Sequence, residues 1–164
     1  VKQIKVNKTK LTPSKLTAES AASQPFLSTL RELVQTYQAF CAYEEPHIRE
    51  LGLTSPQFDV IATLGNTPGM FMNQLAEKTL VTKGTLTGII DRLEQKGFVR
   101  REVPPENRRC FLIVLTPEGE RVFDELFPVH ISYLKERFDQ LSEQELGEIK
   151  TSLKRLRGIF DQPS

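Results

Sequence analysis

Thr82-Lys83-Gly84-Thr85-Leu86-Thr87-Gly88-Ile89-Ile90-Asp91-Arg92-Leu93-Glu94-Gln95-Lys96-Gly97 is the stretch from which the rest of the chain is read. Leu86, Ile89, Ile90 and Leu93 follow the i, i+3, i+4, i+7 spacing that lines up four apolar side chains on one helical stripe. Thr82 offers an oxygen to an orphan backbone N–H of the first turn and Gly97 a stop after the last, so the pattern predicts a helix from Lys83 to Gln95. The opposite face then carries Gly84, Thr87, Gly88, Asp91 and Arg92. Each glycine costs roughly 1 kcal/mol of helix propensity relative to alanine, and close approach to another molecule is a physical reason to bear that cost.

Just upstream, Asn73 to about Leu80 is a second short helical pattern, separated from the first by a residue or two. Just downstream, Phe98 to Val103 and Cys110 to Leu115 are rich in β-branched and aromatic residues. They flank Pro104-Pro105-Glu106-Asn107-Arg108-Arg109, which predicts two strands joined by a basic, proline-stiffened loop. Further out, Thr54-Ser55-Pro56-Gln57 caps a helix through Phe58, Ile61 and Leu64, and Asn66-Thr67-Pro68-Gly69 is a turn. A long first helix runs from Phe26 through Leu30, Leu33, Val34, Tyr37 and Phe40, with Pro46 expected to bend or end it and Gly52 as its stop. Thr116-Pro117 opens a helix bearing Val122, Phe123, Leu126, Ile131, Leu134 and Phe138, and Ser142-Glu143-Gln144-Glu145 opens a last one with Leu146, Ile149, Leu153, Leu156 and Phe160. Residues 1–24, rich in Lys, Ser, Thr and Ala, have almost no apolar periodicity and are expected to form a flexible arm.

The 164 residues fit one domain of ordinary size, and 38% hydrophobic against 26% charged residues indicates a packed core with a solvated surface. No run of about 18 apolar residues is present to span a membrane, and the N-terminus lacks the apolar centre of a secretory signal, so the cytoplasm is the default location. Two cysteines, Cys41 and Cys110, do not make a disulfide framework. The net charge of +1 says little about partners, but its distribution says more. Lysines 2, 5, 8, 10 and 15 outweigh Glu19 in the arm, residues 25–70 are net acidic, 71–115 net basic and 116–164 net acidic again.

Two short helices across a tight turn, followed by a hairpin with a basic tip, is the order of a winged helix-turn-helix. The DNA major groove admits one helix, and that helix must present a small, polar face near its N-terminus. Thr82, Lys83, Gly84, Thr85, Thr87 and Gly88 meet that requirement: the hydroxyls can bond base edges or phosphates, Lys83 can meet a phosphate or a guanine edge, and the glycines let the backbone come close. Arg92 lies on the same face, and Arg108 and Arg109 at the loop tip can enter a minor groove. Long apolar stripes at both chain ends, including Phe26, Leu30, Phe123, Phe127, Leu153 and Phe160, favour burial against a second copy. Cys41, Glu44, Glu45 and His47 are zinc-ligand types close in sequence, but no second cluster completes four ligands, so they read as a small buried hydrophobe beside solvated acids. His130 reads as a packing or hydrogen-bonded histidine, and strand alternation leaves the exposure of Cys110 open. No nucleophile-base-acid order, phosphate-binding glycine loop or close carboxylate pair points to an enzyme, and no cofactor is implied.

From about Leu30 to Phe160 the chain resembles the MarR family of bacterial transcription regulators. The strings that carry the resemblance are Leu53-Thr54-Ser55-Pro56-Gln57-Phe58, Gln74-Leu75-Ala76-Glu77, Asp91 through Arg101, and Asn107-Arg108-Arg109 leading to Leu115-Thr116-Pro117-Glu118-Gly119. It implies a mainly α fold with a small β-hairpin wing: a single domain over 25–164 in which 54–116 form the DNA-binding lobe and 25–52 with 117–164 the dimerisation helices. It implies, too, a homodimer on a pseudo-palindromic operator, usually a repressor released by a small-molecule effector or by oxidation. One departure stands out. The family's wing commonly has Asp-x-Arg, whereas the matching positions here are Asn107 and Arg109, and an amide holds a guanidinium less strongly than a carboxylate. A winged-helix protein-interaction module and a metal- or redox-sensing regulator of the same fold are the alternative readings.

Overall fold

The computed structural model describes residues 16–79, 81–104 and 110–161, and of Lys83 the backbone only. The chain divides into two compact units, residues 1–43 and 44–164.

The described part of the first unit holds a short helix, α1 (Ala18–Ala22), and most of a long one, α2 (Phe26–Glu50). The arm is thus not wholly irregular: the Thr17 hydroxyl accepts the Ser20 N–H at 3.2 Å and caps one helical turn that buries nothing. Residues 1–15 lie outside the described residues. Of the two outcomes expected at Pro46, a bend or an end, the end does not occur there: α2 continues through it to Glu50. Pro46 is exposed, as is Ala42, whose carbonyl loses its helical donor and is left to water. The helix ends at Gly52, with φ +81°.

The second unit carries the core. In α3 (Ser55–Leu64) the Gln57 side chain accepts the Thr54 N–H at 3.2 Å, half of the capping box read from sequence. Asn66 and Gly69 adopt positive φ in the turn that follows. Then come β1 (Met70–Phe71), α4 (Met72–Lys78), α5 (Lys83–Gln95), β2 (Val99–Glu102), β3 (Leu112–Leu115), α6 (Pro117–Phe138) and α7 (Glu143–Phe160). The strands are shorter than the sequence suggests, and the sheet has three of them in the order β1-β3-β2, both pairs antiparallel, rather than two. Met70 opposite Ile113 and Val99 opposite Leu115 set the register.

Ile48, Val60, Ile61, Leu64, Leu75, Leu86, Ile90, Leu93, Val99 and Ile113 form one contiguous core, with Phe123 buried in it and Phe127 packed on its edge. The sequence assigns both to a surface shared with a second copy; Phe123 instead belongs to the chain's own interior, and half-buried Phe127 packs against it, their rings stacking at 4.9 Å. Leu153 and Phe160 remain exposed, together with Ile149 and Ile159 on α7.

His130, 2% exposed, is buried under Phe58, whose ring meets it edge-on at 4.6 Å, and its Nδ1 lies 3.1 Å from the Nδ1 of His47. One ring must donate and the other accept, so the contact tolerates one shared proton and not two facing N–H groups. The Tyr133 ring stacks on His47 at 4.0 Å, and the Glu44 carboxylate lies 3.9 Å from His130 Nε2. Burial and the neighbouring His47 push His130 below the usual imidazole range. The unfolded chain therefore binds the proton first as pH drops below about 6.5, and stability present above that value is lost as pH falls toward the folded-state value. Glu44 works in the opposite direction: burial, then Asp59 and Glu45, raise its carboxyl, so its contribution is present at acid pH and lost as pH rises through the raised value. The expected result is a denaturation midpoint lower at pH 5.5 than at pH 7.5, with His130→Leu flattening that slope; an unchanged slope in the variant would assign the loss to other groups.

Candidate nucleic-acid interface

Helix α5 presents the two faces its spacing predicts. Leu86, Ile89, Ile90 and Leu93 are 0–3% exposed, while Thr82, Gly84, Thr85, Thr87, Gly88, Asp91 and Arg92 are all exposed. A Cβ built on Gly84 or Gly88 meets nothing within 4 Å, so no packing inside the chain requires glycine at either position. Thr82 is the N-cap by backbone, its carbonyl accepting the N–H groups of Thr85 and Leu86 at 3.0 Å. Its hydroxyl does not cap, as the sequence suggested it would, but pairs with that of Thr85 at 2.8 Å. The two threonines thus form a small polar edge at the start of the helix, the end at which the helix dipole favours anions.

The cations of the basic middle segment divide into engaged and free. Arg100 donates to Glu102 at 2.8 Å and reaches the Leu115 carbonyl at 3.4 Å, and Lys96 donates to the Gly52 carbonyl at 3.2 Å. Arg101 is bound by Asp91 at 2.5 Å and by Glu94. Arg92 is exposed and makes no ion pair with any described residue, which leaves its charge available to a phosphate. The Lys83 side chain and the wing-tip residues Asn107, Arg108 and Arg109 lie outside the described residues. What is described of the wing brings β2 and β3 up to Val103 and Phe111, both about half exposed, with Cys110 exposed beside them. Among the described residues no group of three histidine, cysteine or acidic side chains is placed to hold a metal ion, and Cys41 is half-buried. Among them, too, no helix is long and apolar enough to cross a membrane.

The sequence reading missed the Arg101 network and the His47–His130 pair. The first joins residues seven and ten apart across a helix-strand turn, and the second joins residues 83 apart. Neither separation carries a periodic signal.

A buried-inside, polar-outside helix beside a three-stranded wing is the arrangement of known DNA-binding regulators, and comparison with known proteins agrees. Residues 53–111 match the model of the MarR family. The transcriptional regulator HosA of Escherichia coli O111:H- is 36% identical over 119 residues, covering 71% of this chain and 84% of HosA. Sco3205, a MarR family transcriptional regulator from Streptomyces coelicolor solved in complex with DNA, superposes with a TM-score of 0.73 at 25% identity, covering 93% of this chain and 94% of that one. BpsR of Bordetella bronchiseptica, whose DNA binding is regulated by 6-hydroxynicotinic acid, superposes with a TM-score of 0.70 at 25% identity over 79% of this chain and 98% of its own. With that coverage and identity, and with the reading helix and wing in place, the chain belongs to the MarR family and is a DNA-binding transcriptional regulator, not an enzyme.

Proposed function

We propose that the protein acts in the cytoplasm as a homodimer that lays α5 of each protomer in the major groove of a pseudo-palindromic operator and represses transcription until a small-molecule effector binds. The observation that carries this reading is the outer face of α5, where six small, hydroxylated or cationic positions stand exposed above four buried aliphatic ones. Thr82, Thr85 and Thr87 would contact base edges or phosphates, Gly84 and Gly88 admit the backbone, and Lys83 and Arg92 neutralise phosphates. Asn107, Arg108 and Arg109 would extend the contact into the minor groove. Residues 54–116 then form the reading lobe, and 25–52 with 117–164 the dimerisation helices. The exposed apolar side chains of both regions, Phe26, Leu30 and Val34 in one and Ile149, Leu153 and Phe160 in the other, supply surface for that contact. Sco3205 on DNA and BpsR with its aromatic acid effector support the reading by analogy.

Selection from a random duplex pool tests it. The wild-type chain should enrich one two-fold-related sequence, and its affinity should fall steeply with salt as phosphate counterions are released. Arg92→Ala should weaken binding to all sequences alike and reduce the slope of log K against log salt by about 1, with Lys83→Ala and Arg109→Ala behaving as further contact losses. A dimer that enriches no duplex would instead favour a protein-docking role for the wing.

A further inference from the structure

Asp91 is an acid on the face just assigned to DNA, three residues after Gly88 and four after Thr87, where a carboxylate opposes phosphate. Its place is explained by Arg101, the third residue of β2. The Arg101 guanidinium spans both acids of the outer α5 surface, Nη2 donating to Asp91 Oδ1 at 2.5 Å and Nη1 to Glu94 Oε2. The Arg101 backbone N–H donates to the other oxygen of Glu94 at 3.2 Å. Three donors of one strand residue therefore hold two acids one turn apart on the reading helix, and the Arg101 side chain is only 21% exposed. Such a clamp contributes little to stability, since each carboxylate is two-fifths to one-half exposed, but a planar fork held at two points, with the backbone N–H of the same residue as a third, fixes direction.

We propose that Asp91, Glu94 and Arg101 are positioning residues for DNA reading: they set the angle between the reading helix and the wing strand so that both can meet adjacent grooves of one duplex. Arg101 is then not a phosphate contact, although it lies in the basic segment. This rests on the DNA-binding reading above and adds to it a sign that simple electrostatics does not give. Removing an acid from a DNA-facing surface strengthens binding if charge alone matters, and weakens specific binding if the acid holds the wing in place.

The test uses the full chain and the duplex enriched by the wild-type protein, with a scrambled duplex as control, over a series of salt concentrations. Asp91→Asn and Arg101→Lys should each bind the enriched duplex about tenfold more weakly, the scale of one lost charge-assisted contact. Asp91→Asn should bind the scrambled duplex as well as wild type or better, and the salt slope should not change for either variant. Equal or tighter binding of the enriched duplex by Asp91→Asn, or wild-type affinity in Arg101→Lys, overturns the proposal. So does loss of the folded circular-dichroism spectrum in Asp91→Asn, which would make the clamp a folding element. Failure of the wild-type chain to enrich any duplex is a separate outcome that removes the DNA reading and the inference with it.

Discussion

Gly119→Ala is expected to destabilise the protein by about 2 to 4 kcal/mol, the scale of an overpacked core position with no room to relax. Gly119 lies in the first turn of α6, where a built Cβ stands 1.9 Å from the Phe98 carbonyl oxygen and 3.3 Å from a Leu115 methyl. That carbonyl cannot swing aside freely, because it accepts the Thr116 N–H at 3.0 Å. Thr116 also ties the start of α6 back to the end of α5, its hydroxyl accepting the Gly119 N–H at 3.0 Å and donating to the Gly97 carbonyl at 2.5 Å. One methyl group therefore presses on the backbone knot where reading helix, wing and α6 meet. The gain in helix propensity, about 1 kcal/mol, does not offset it. Gly88→Ala is the natural control: the same substitution in open space should raise stability by up to about 1 kcal/mol. Chemical denaturation of the two variants beside wild type checks the opposite signs, and equal midpoints would mean that the Phe98 carbonyl yields at little cost.

The helices with a repeating apolar spacing and a recognisable residue at each end were legible residue by residue. For α5 the bounds read from Thr82, the aliphatic stripe and Gly97 coincide with those observed, and Ser142 with Glu145 marks the start of α7 through a reciprocal pair at 2.8 and 3.3 Å. What escaped was whatever depends on a distant partner. β1 is two residues long, too short for any alternation, and exists only because Met70 and Phe71 pair with Ile113 and Leu112. Spacing placed Phe123 and Phe127 on one stripe of α6 but could not say what covers that stripe, and it is the chain's own core. Pro46 speaks of the lost donor alone, while the exposure that makes the loss cheap is a property of the fold. Of the interface, the helical half was readable because a helix with one aliphatic face must expose the other. Which cations are free to meet DNA was not readable, because Arg100 and Arg101 look the same in sequence as Arg92 and differ only in the acids that surround them.

Gly88→Glu is expected to abolish sequence-specific DNA binding, by more than about 100-fold, and to leave the fold intact. Introducing a like charge into an electrostatically matched interface costs several kcal/mol, and 2.7 kcal/mol is already a factor of about 100. The position is suited to the experiment because its two roles separate cleanly. A Cβ at Gly88 meets no atom of the chain, and glutamate is a better helix former than glycine, so thermal stability should hold or rise slightly. On the DNA side the same carboxylate would stand between Gly84 and Arg92, each one helical turn away on the same face, where it both repels phosphate and offers Arg92 an internal partner at i+4. Gly88→Gln removes the charge and keeps the size, so it divides the loss into steric and electrostatic parts. If neither variant weakens binding to the enriched duplex, that face of α5 does not lie in the groove and the reading surface must be sought elsewhere on the lobe. If glutamate abolishes binding while glutamine costs about tenfold, charge opposition dominates, as expected where a helix is held close to the phosphate backbone.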